Sequence, residues 1–327
     1  MGRATWDWAR RLAGAGILAV VVWRVGTGPF LAGLRRVDAW SLLWAASITA
    51  LTTVSAAWRW RTVVAGLGVA LPLRTAVAAY YRSQFLNSAL PGGVVGDLHR
   101  GVRHGLDAGD VGRGLRAVAW ERAAGQVVFV VLALGALLAV DSPASPWAGW
   151  AIAAGLTAAV VALAVVRALP RPRRSRWTAM LDTVRSDVRH GLLARRTWPV
   201  VVATSVVVAV GHATTFLVAA WTIGADVPAA RLVPLAALVM LAMGLPIGVG
   251  GWGPREGVAA WAFGAAGLGA DRGVATATVY GVIAFAATLP GAAVLVAEWL
   301  RRARTVRPHA VRTTACPPRP AVEAAEA

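Results

Sequence analysis

Three short runs in this sequence combine arginine, carboxylate and glycine within otherwise apolar surroundings. The first is Asn87-Ser-Ala-Leu-Pro91-Gly92-Gly93-Val-Val-Gly96-Asp97-Leu-His99-Arg100, with Arg103 just behind. Glycines let a chain turn and approach a ligand without a Cβ in the way. Free N–H groups at such a turn, followed by a helix start, make an anion site. Asp97 is placed to cap that helix, and Arg100 lies one turn on. A capped helix start without a ligand fits the same spacing. The second run is Trp120-Glu121-Arg122, with Gln126 one turn after Arg122. Opposite charges inside an apolar segment point to ion pairing with neighbours or with the other two runs, or to the end of a span. The third is Pro246-Ile-Gly248-Val-Gly250-Gly251-Trp252-Gly253-Pro254-Arg255-Glu256-Gly257. At membrane depth Arg255 can grip a phosphate as a planar fork while Glu256 balances it. In the cytoplasm it would be only a charged loop. His212, in VVVAVGHATTFLVAA, fits either an interhelical hydrogen bond or a proton relay.

The elements that must position these residues are membrane helices. Of 327 residues, 57% are hydrophobic and only 15% charged, with mean hydropathy +0.61. Soluble domains carry about 25% charged residues. A helical span needs about 20 mostly apolar residues. Runs at 12–31, 39–58, 118–140, 147–168, 198–222 and 276–299 qualify. The first reads as a retained span rather than a signal peptide, since no small-residue cleavage site follows. Two further stretches, 75–96 and 232–269, are each interrupted by Pro and Gly. Broken backbone at membrane depth is tolerated only inside protein or beside a wet cavity. Such breaks in corresponding positions of two halves point to a transporter's binding site. The fold class expected is therefore all-α: a polytopic helical membrane protein of about six full spans plus two re-entrant hairpins. One transmembrane domain is expected over 1–302, with a disordered, Pro-rich tail over 303–327.

The net charge is +18, and all 33 basic residues are arginine. A polyanion partner such as nucleic acid is one reading of that charge. The distribution favours another. With the N-terminus cytoplasmic, segments 1–11, 59–74, 97–117, 169–197 (with Arg167) and 300–327 face the cytoplasm and hold 25 arginines. The outside segments hold four. This is the positive-inside pattern, and it puts both termini in the cytoplasm of a plasma-membrane protein with no nucleic-acid partner. The basic stretch 167–197 could also attract anionic lipid headgroups. Four arginines remain at membrane depth: Arg24, Arg82, Arg122 and Arg255. Arg24 is near a span end, where it can snorkel to the interface; the others call for a polar cavity or a partner.

One cysteine excludes an internal disulfide, and the five histidines make no ligand pair at helical spacing. No zinc-protease helix, phosphate-binding Walker loop, dinucleotide fingerprint or nucleophile elbow is present. No metal, cofactor or catalytic residue is expected. With its Arg59-Trp60 pair, NSALPGGVVGDLHR segment, Glu121-Arg122 pair and GVGGWGPREG, the chain resembles the transmembrane region of lysylphosphatidylglycerol synthase, a family of flippase-like proteins. The last motif is the most specific. The resemblance covers residues 10–300 and implies a helical fold with re-entrant elements that moves a lipid between leaflets. By motif it implies a substrate site at Asn87, Pro91, Gly92, Gly96, Asp97, Arg100, Glu121, Arg122, Gly251, Gly253, Arg255 and Glu256. The full synthase adds a soluble aminoacyl-transferase domain. None is expected here, so neither is lysyl transfer. The leading expectation is a transporter of an anionic, phosphate-bearing lipid of phospholipid or polyprenyl-phosphate type. The alternatives are an intramembrane lipid-modifying enzyme and a non-transporting partner of a glycosyl or aminoacyl transferase.

Overall fold

The computed structural model describes residues 35–90, 93–139, 176–244 and 252–305, with isolated positions before residue 35. Among these the chain is helical, with no strand. The helices are α1 (Ala39–Gly66), α2 (Leu73–Ala89), α3 (Val95–Asp107), α4 (Val111–Ala139), α5 (Arg176–Ser186), α6 (Trp198–Thr222), α7 (Ala229–Met243), α8 (Pro254–Ala265), α9 (Ala270–Ala287) and α10 (Leu289–Thr305). A π-helical turn, Asp187–Leu192, follows α5. The expected spans at 12–31 and 147–168, and the tail beyond Thr305, lie outside the described residues.

Among the described residues, four helical stretches are long and apolar enough to cross a membrane: α1, α4, α6, and α9 with α10. They correspond to four of the six expected spans. The interrupted stretches became pairs of shorter helices. α2 and α3 have 17 and 13 residues, and α7 and α8 have 15 and 12. At 1.5 Å per residue none exceeds about 26 Å, short of the roughly 30 Å hydrocarbon core. The causes of the breaks are local. α2 stops at Ala89, because the residue before a proline disfavours helical backbone and Pro91 follows Leu90. α8 starts on Pro254, whose missing N–H costs nothing in the first turn. Its preceding Gly253 has φ 101°, a conformation that disfavours any side chain.

The elements form two matching series: α1, α2, break, α3, α4, and α6, α7, break, α8, α9. The connectors after α1 and α6 are residues 67–72 and 223–228, six each. Within both series the short helices pack on each other and the second packs on the long helix that follows. Each series has its own core. One gathers Trp60, Val64, Tyr80 and Val118; the other gathers Phe216, Leu235, Phe263, Tyr280 and Ile283. α1 and α6 pack against each other and run antiparallel. At one end Arg36 donates to the Ile223 carbonyl. At the other, Gly66 fits against the backbone of His190 and Gly191, just before α6. The two series are thus an inverted repeat, with α10 returning to pack on α2.

Several expectations change. The run expected to end at residue 58 continues as helix to Gly66, so Arg59 is not in a loop but buried within α1. Hydropathy ended the run at a charge that the fold neutralises. Asp97 does not cap α3: the cap position is Val94, with no side-chain bond. The span expected at 276–299 is two helices divided at Thr288, just before Pro290. The segment within 176–196 packs on the end of α1, and its Arg185, Arg189, Arg195 and Arg196 are exposed beside exposed Met180, Leu181 and Leu193.

Candidate functional site: a cationic cavity between the two repeats

The first charge cluster is wired across five helices. Glu121 on α4 is fully buried and has three partners. Arg59 of α1 reaches its Oε1 through Nε at 2.8 Å and Nη2 at 2.5 Å. Tyr80 of α2 donates its hydroxyl to the same oxygen at 3.0 Å. Arg100 of α3 donates Nη2 to Oε2 at 3.0 Å and to Asp97 Oδ1 at 3.1 Å. The fifth helix is α6, whose Ser205 hydroxyl accepts from Arg59 Nη1 at 2.9 Å. Asp97 also accepts from Ser83 at 3.0 Å and from Asn87 at 3.0 Å, and it pairs with Arg122. Asn87 Oδ1 accepts the Gly96 N–H at 2.8 Å, so the cap of α3 comes from α2. Gly96 has no room for a side chain: a Cβ there would meet the Ser83 carbonyl oxygen at 2.1 Å. The Arg100 guanidinium lies between two rings, 4.5 Å from Trp60 and 4.2 Å from Tyr80.

The second cluster closes on itself. Glu256 accepts from Arg255 Nε at 2.9 Å and Nη2 at 2.5 Å. Its other oxygen accepts the Gly253 N–H at 2.8 Å, satisfying one of the orphan donors at the start of α8. Arg255 stacks 4.4 Å from Trp252. Its guanidinium passes over Gly281 of α9, where a Cβ would lie 2.2 Å from Nη2.

Between the clusters is a cavity of about 290 Å3 lined by residues of both repeats. Arg59, Arg122 and Arg255 line it, together with Tyr80, Asn87, His212, Trp252 and Tyr280. A second cavity of about 270 Å3 shares Arg59, Arg122, His212 and Tyr280, and is otherwise largely apolar, with Phe129, Met240 and Met243. No carboxylate is among the described residues lining either one. The carboxylates stand behind the arginines and hold them. Arg122 is the open member: 48% of its side chain is exposed, against 6% for Arg59 and 2% for Arg255. Four arginines (59, 100, 122, 255) face three carboxylates (97, 121, 256) in these clusters, leaving one formal positive charge.

The site expected from sequence is therefore distributed. Asn87, Arg122 and Arg255 reach the cavity. Asp97, Glu121 and Glu256 position the arginines, and Gly96 and Gly253 shape the backbone. Arg100 is brought into the network but lines a different cavity, of about 280 Å3, with Arg82, Arg103 and Glu298. Glu298 of α10 pairs with both Arg82 (2.5 Å) and Arg103. Pro91, Gly92 and Gly251 lie outside the described residues. Arg59, Tyr80, Trp252, His212 and Tyr280 were not among the expected site residues. Tyrosine was a signal: the chain has three, and two of them line this cavity.

A family model, the lysylphosphatidylglycerol synthase TM region, matches residues 8–291. The chain belongs to that family. The match spans both repeats and every residue of the two clusters, so the inverted arrangement lies within the family's own region. With four membrane-length helices among the described residues, it makes the chain a multi-pass membrane protein related to lipid handling. No curated protein matches the chain.

Proposed function

We propose that this protein moves an anionic, phosphate-bearing lipid between the leaflets of the plasma membrane, with both termini cytoplasmic. The observation carrying this reading is the cavity between the repeats, with three guanidinium groups in its lining and no carboxylate among the described lining residues. Inverted-repeat transporters bind substrate near the midplane, at the repeat interface, beside discontinuous helices. Here the discontinuities are the α2–α3 and α7–α8 breaks. A phosphodiester carries one negative charge, which matches the single positive charge left over in the clusters. Arg122 is the first contact because it is the most exposed. Arg59 and Arg255 complete a three-sided clamp, and the hydroxyl of Tyr280 meets a remaining headgroup oxygen. The apolar side cavity beside Phe129 and Met240 takes the first carbons of the tails. The chain has no nucleotide-binding motif, so movement runs downhill or on an ion gradient. At the cytoplasmic surface, Arg185, Arg189, Arg195 and Arg196 attract anionic lipid, at about 1 kcal/mol each.

The test is translocation of a labelled phospholipid headgroup in proteoliposomes. A charged hydrogen bond contributes about 1.5–3 kcal/mol, so Arg122→Ala or Arg255→Ala is expected to slow translocation about ten- to hundredfold. Wild-type rates in both variants would remove the cavity from the pathway. In the same vesicles, changing the four surface arginines to Gln should weaken the preference for anionic over zwitterionic membranes. Equal behaviour in both lipids would leave that surface without a partner.

A further inference from the structure

Among the described residues of the shared cavity wall, His212 is the one titratable group that the transport reading leaves unused. It sits midway along α6 and lines both the headgroup cavity and the apolar cavity beside it. Its Nδ1 lies 3.3 Å from the Tyr280 hydroxyl. The charged and titratable groups lining these cavities with it come from every direction. They are Arg59 from α1, Tyr80 from α2, Arg122 from α4, Arg255 from α8 and Tyr280 from α9. α7 contributes Met240 and Met243, which do not titrate. The imidazole therefore faces cations and phenols, with no carboxylate among the described residues of either lining. Nothing among these lining residues offers an imidazolium a counter-charge while the cavity is empty.

An anionic headgroup reverses that balance. The two clusters hold one surplus positive charge; one phosphodiester cancels it; one proton on His212 then restores the charge of the empty site. We propose that His212 takes up a proton when the headgroup phosphate binds and releases it when the phosphate leaves, so that the lipid anion travels with H+. This rests on the transport reading and identifies its coupling ion. The proton comes from water on the loading side and returns to water on the other side, and no covalent bond changes. Tyr280 accommodates both states: its hydroxyl donates to neutral Nδ1 and accepts from protonated Nδ1–H. The bound anion supplies the counter-charge that the cavity wall lacks.

The experiment uses the purified full chain in nanodiscs of zwitterionic lipid, with short-chain phosphatidylglycerol as probe. Two signals are followed: proton uptake on binding, by calorimetry in buffers of different ionisation enthalpy, and the imidazole NMR signal assigned to His212 by its loss in His212→Gln. The expected result near pH 7 is net uptake of up to one proton and movement of the His212 signal to the protonated position. Probe affinity should rise by up to tenfold per pH unit as pH falls across the titration. Probe binding with an unmoved His212 signal overturns the proposal and leaves the transport reading standing. Uptake that persists in His212→Gln also overturns it, since another group then carries the proton. Binding that is absent, or indifferent to Arg122→Ala and Arg255→Ala, overturns the transport reading and this proposal with it.

Discussion

The two halves of the inverted repeat share a backbone plan but are wired differently. In the first, five charged side chains on three helices, joined by residues of α2 and α6, form one largely buried network around Glu121 and Asp97. In the second, Arg255 and Glu256 are sequence neighbours and, among the described residues, form hydrogen bonds only with each other and the start of their own helix. A network across helices resists relative motion, because moving any one helix strands a buried charge. A local pair travels with its helix. The comparison assigns the first half the role of a frame and α8 that of the moving part, still able to present Arg255 to the cavity.

The sharpest way to break this contrast is to remove the two buried glutamates in turn. Glu121→Gln leaves Arg59 and Arg100 buried without their shared counter-charge. Breaking a buried pair from one side costs about 3–5 kcal/mol. Glu256→Gln keeps an acceptor for the Gly253 N–H and removes the counter-charge of one arginine rather than two. A loss of about 1–2 kcal/mol is expected there, on the scale of a lost hydrogen bond. Denaturant unfolding in lipid or detergent measures both. If Glu256→Gln proves the costlier, the second half is the frame and the assignment fails.

A finer test uses two glycines that make room for arginines. A Cβ at Gly125 would lie 2.9 Å from the Arg59 guanidinium, and at Gly281 2.2 Å from that of Arg255. Arg59 is pinned by Glu121 and Ser205 and cannot retreat, so Gly125→Ala should act as overpacking and cost about 1–3 kcal/mol. Arg255 ends at a cavity and can swing aside. Gly281→Ala is therefore expected to cost less stability despite the closer clash, and instead to slow headgroup translocation about tenfold, one hydrogen bond's share of the clamp. The two variants measured together, by unfolding and by transport, should trade places between the assays. Parallel losses in both would show that neither arginine is freer than the other.

Much of this fold was legible before any coordinates, for a physical reason. Membrane-length apolar runs and Pro-Gly breaks are local signals, and the hydrocarbon layer enforces both. The family was equally legible, since the GVGGWGPREG and NSALPGGVVGDLHR segments that carried the resemblance lie within the matched residues 8–291. What escaped was long-range pairing. Arg59 reads as the first residue of a basic loop because hydropathy cannot see Glu121, 62 residues away. Asp97 reads as a cap because its sequence position fits one, whereas its partners come from α2, from Arg100 and from α4. The inverted repeat was hinted at only by two broken segments in matching places. Its evidence is geometric: equal connectors, and antiparallel packing of α1 on α6.

The smallest expected effect tests the corresponding starts of the two repeats. α1 opens with a reciprocal cap: Asp38 Oδ1 accepts the Ser41 N–H at 2.8 Å, and Ser41 Oγ accepts the Asp38 N–H at 3.2 Å. α6 opens at Thr197 without a side-chain cap, relying on Pro199 in its first turn. The Ser41 backbone N–H, then its hydroxyl, hold the Asp38 carboxyl below its ordinary value near 3.8. A carboxylate whose folded pKa is depressed stabilises the fold above its unfolded pKa, and that contribution disappears as pH falls through the folded value. Asp38 is exposed, so the effect is modest. Asp38→Asn keeps a capping oxygen and should flatten only this acid-side slope. Asp38→Ala should also lower stability at neutral pH, and Thr197→Ala should do neither. Melting temperatures of the three variants between pH 3 and pH 7 decide it. A Thr197→Ala loss matching that of Asp38→Ala would mean the two repeats start with equivalent caps.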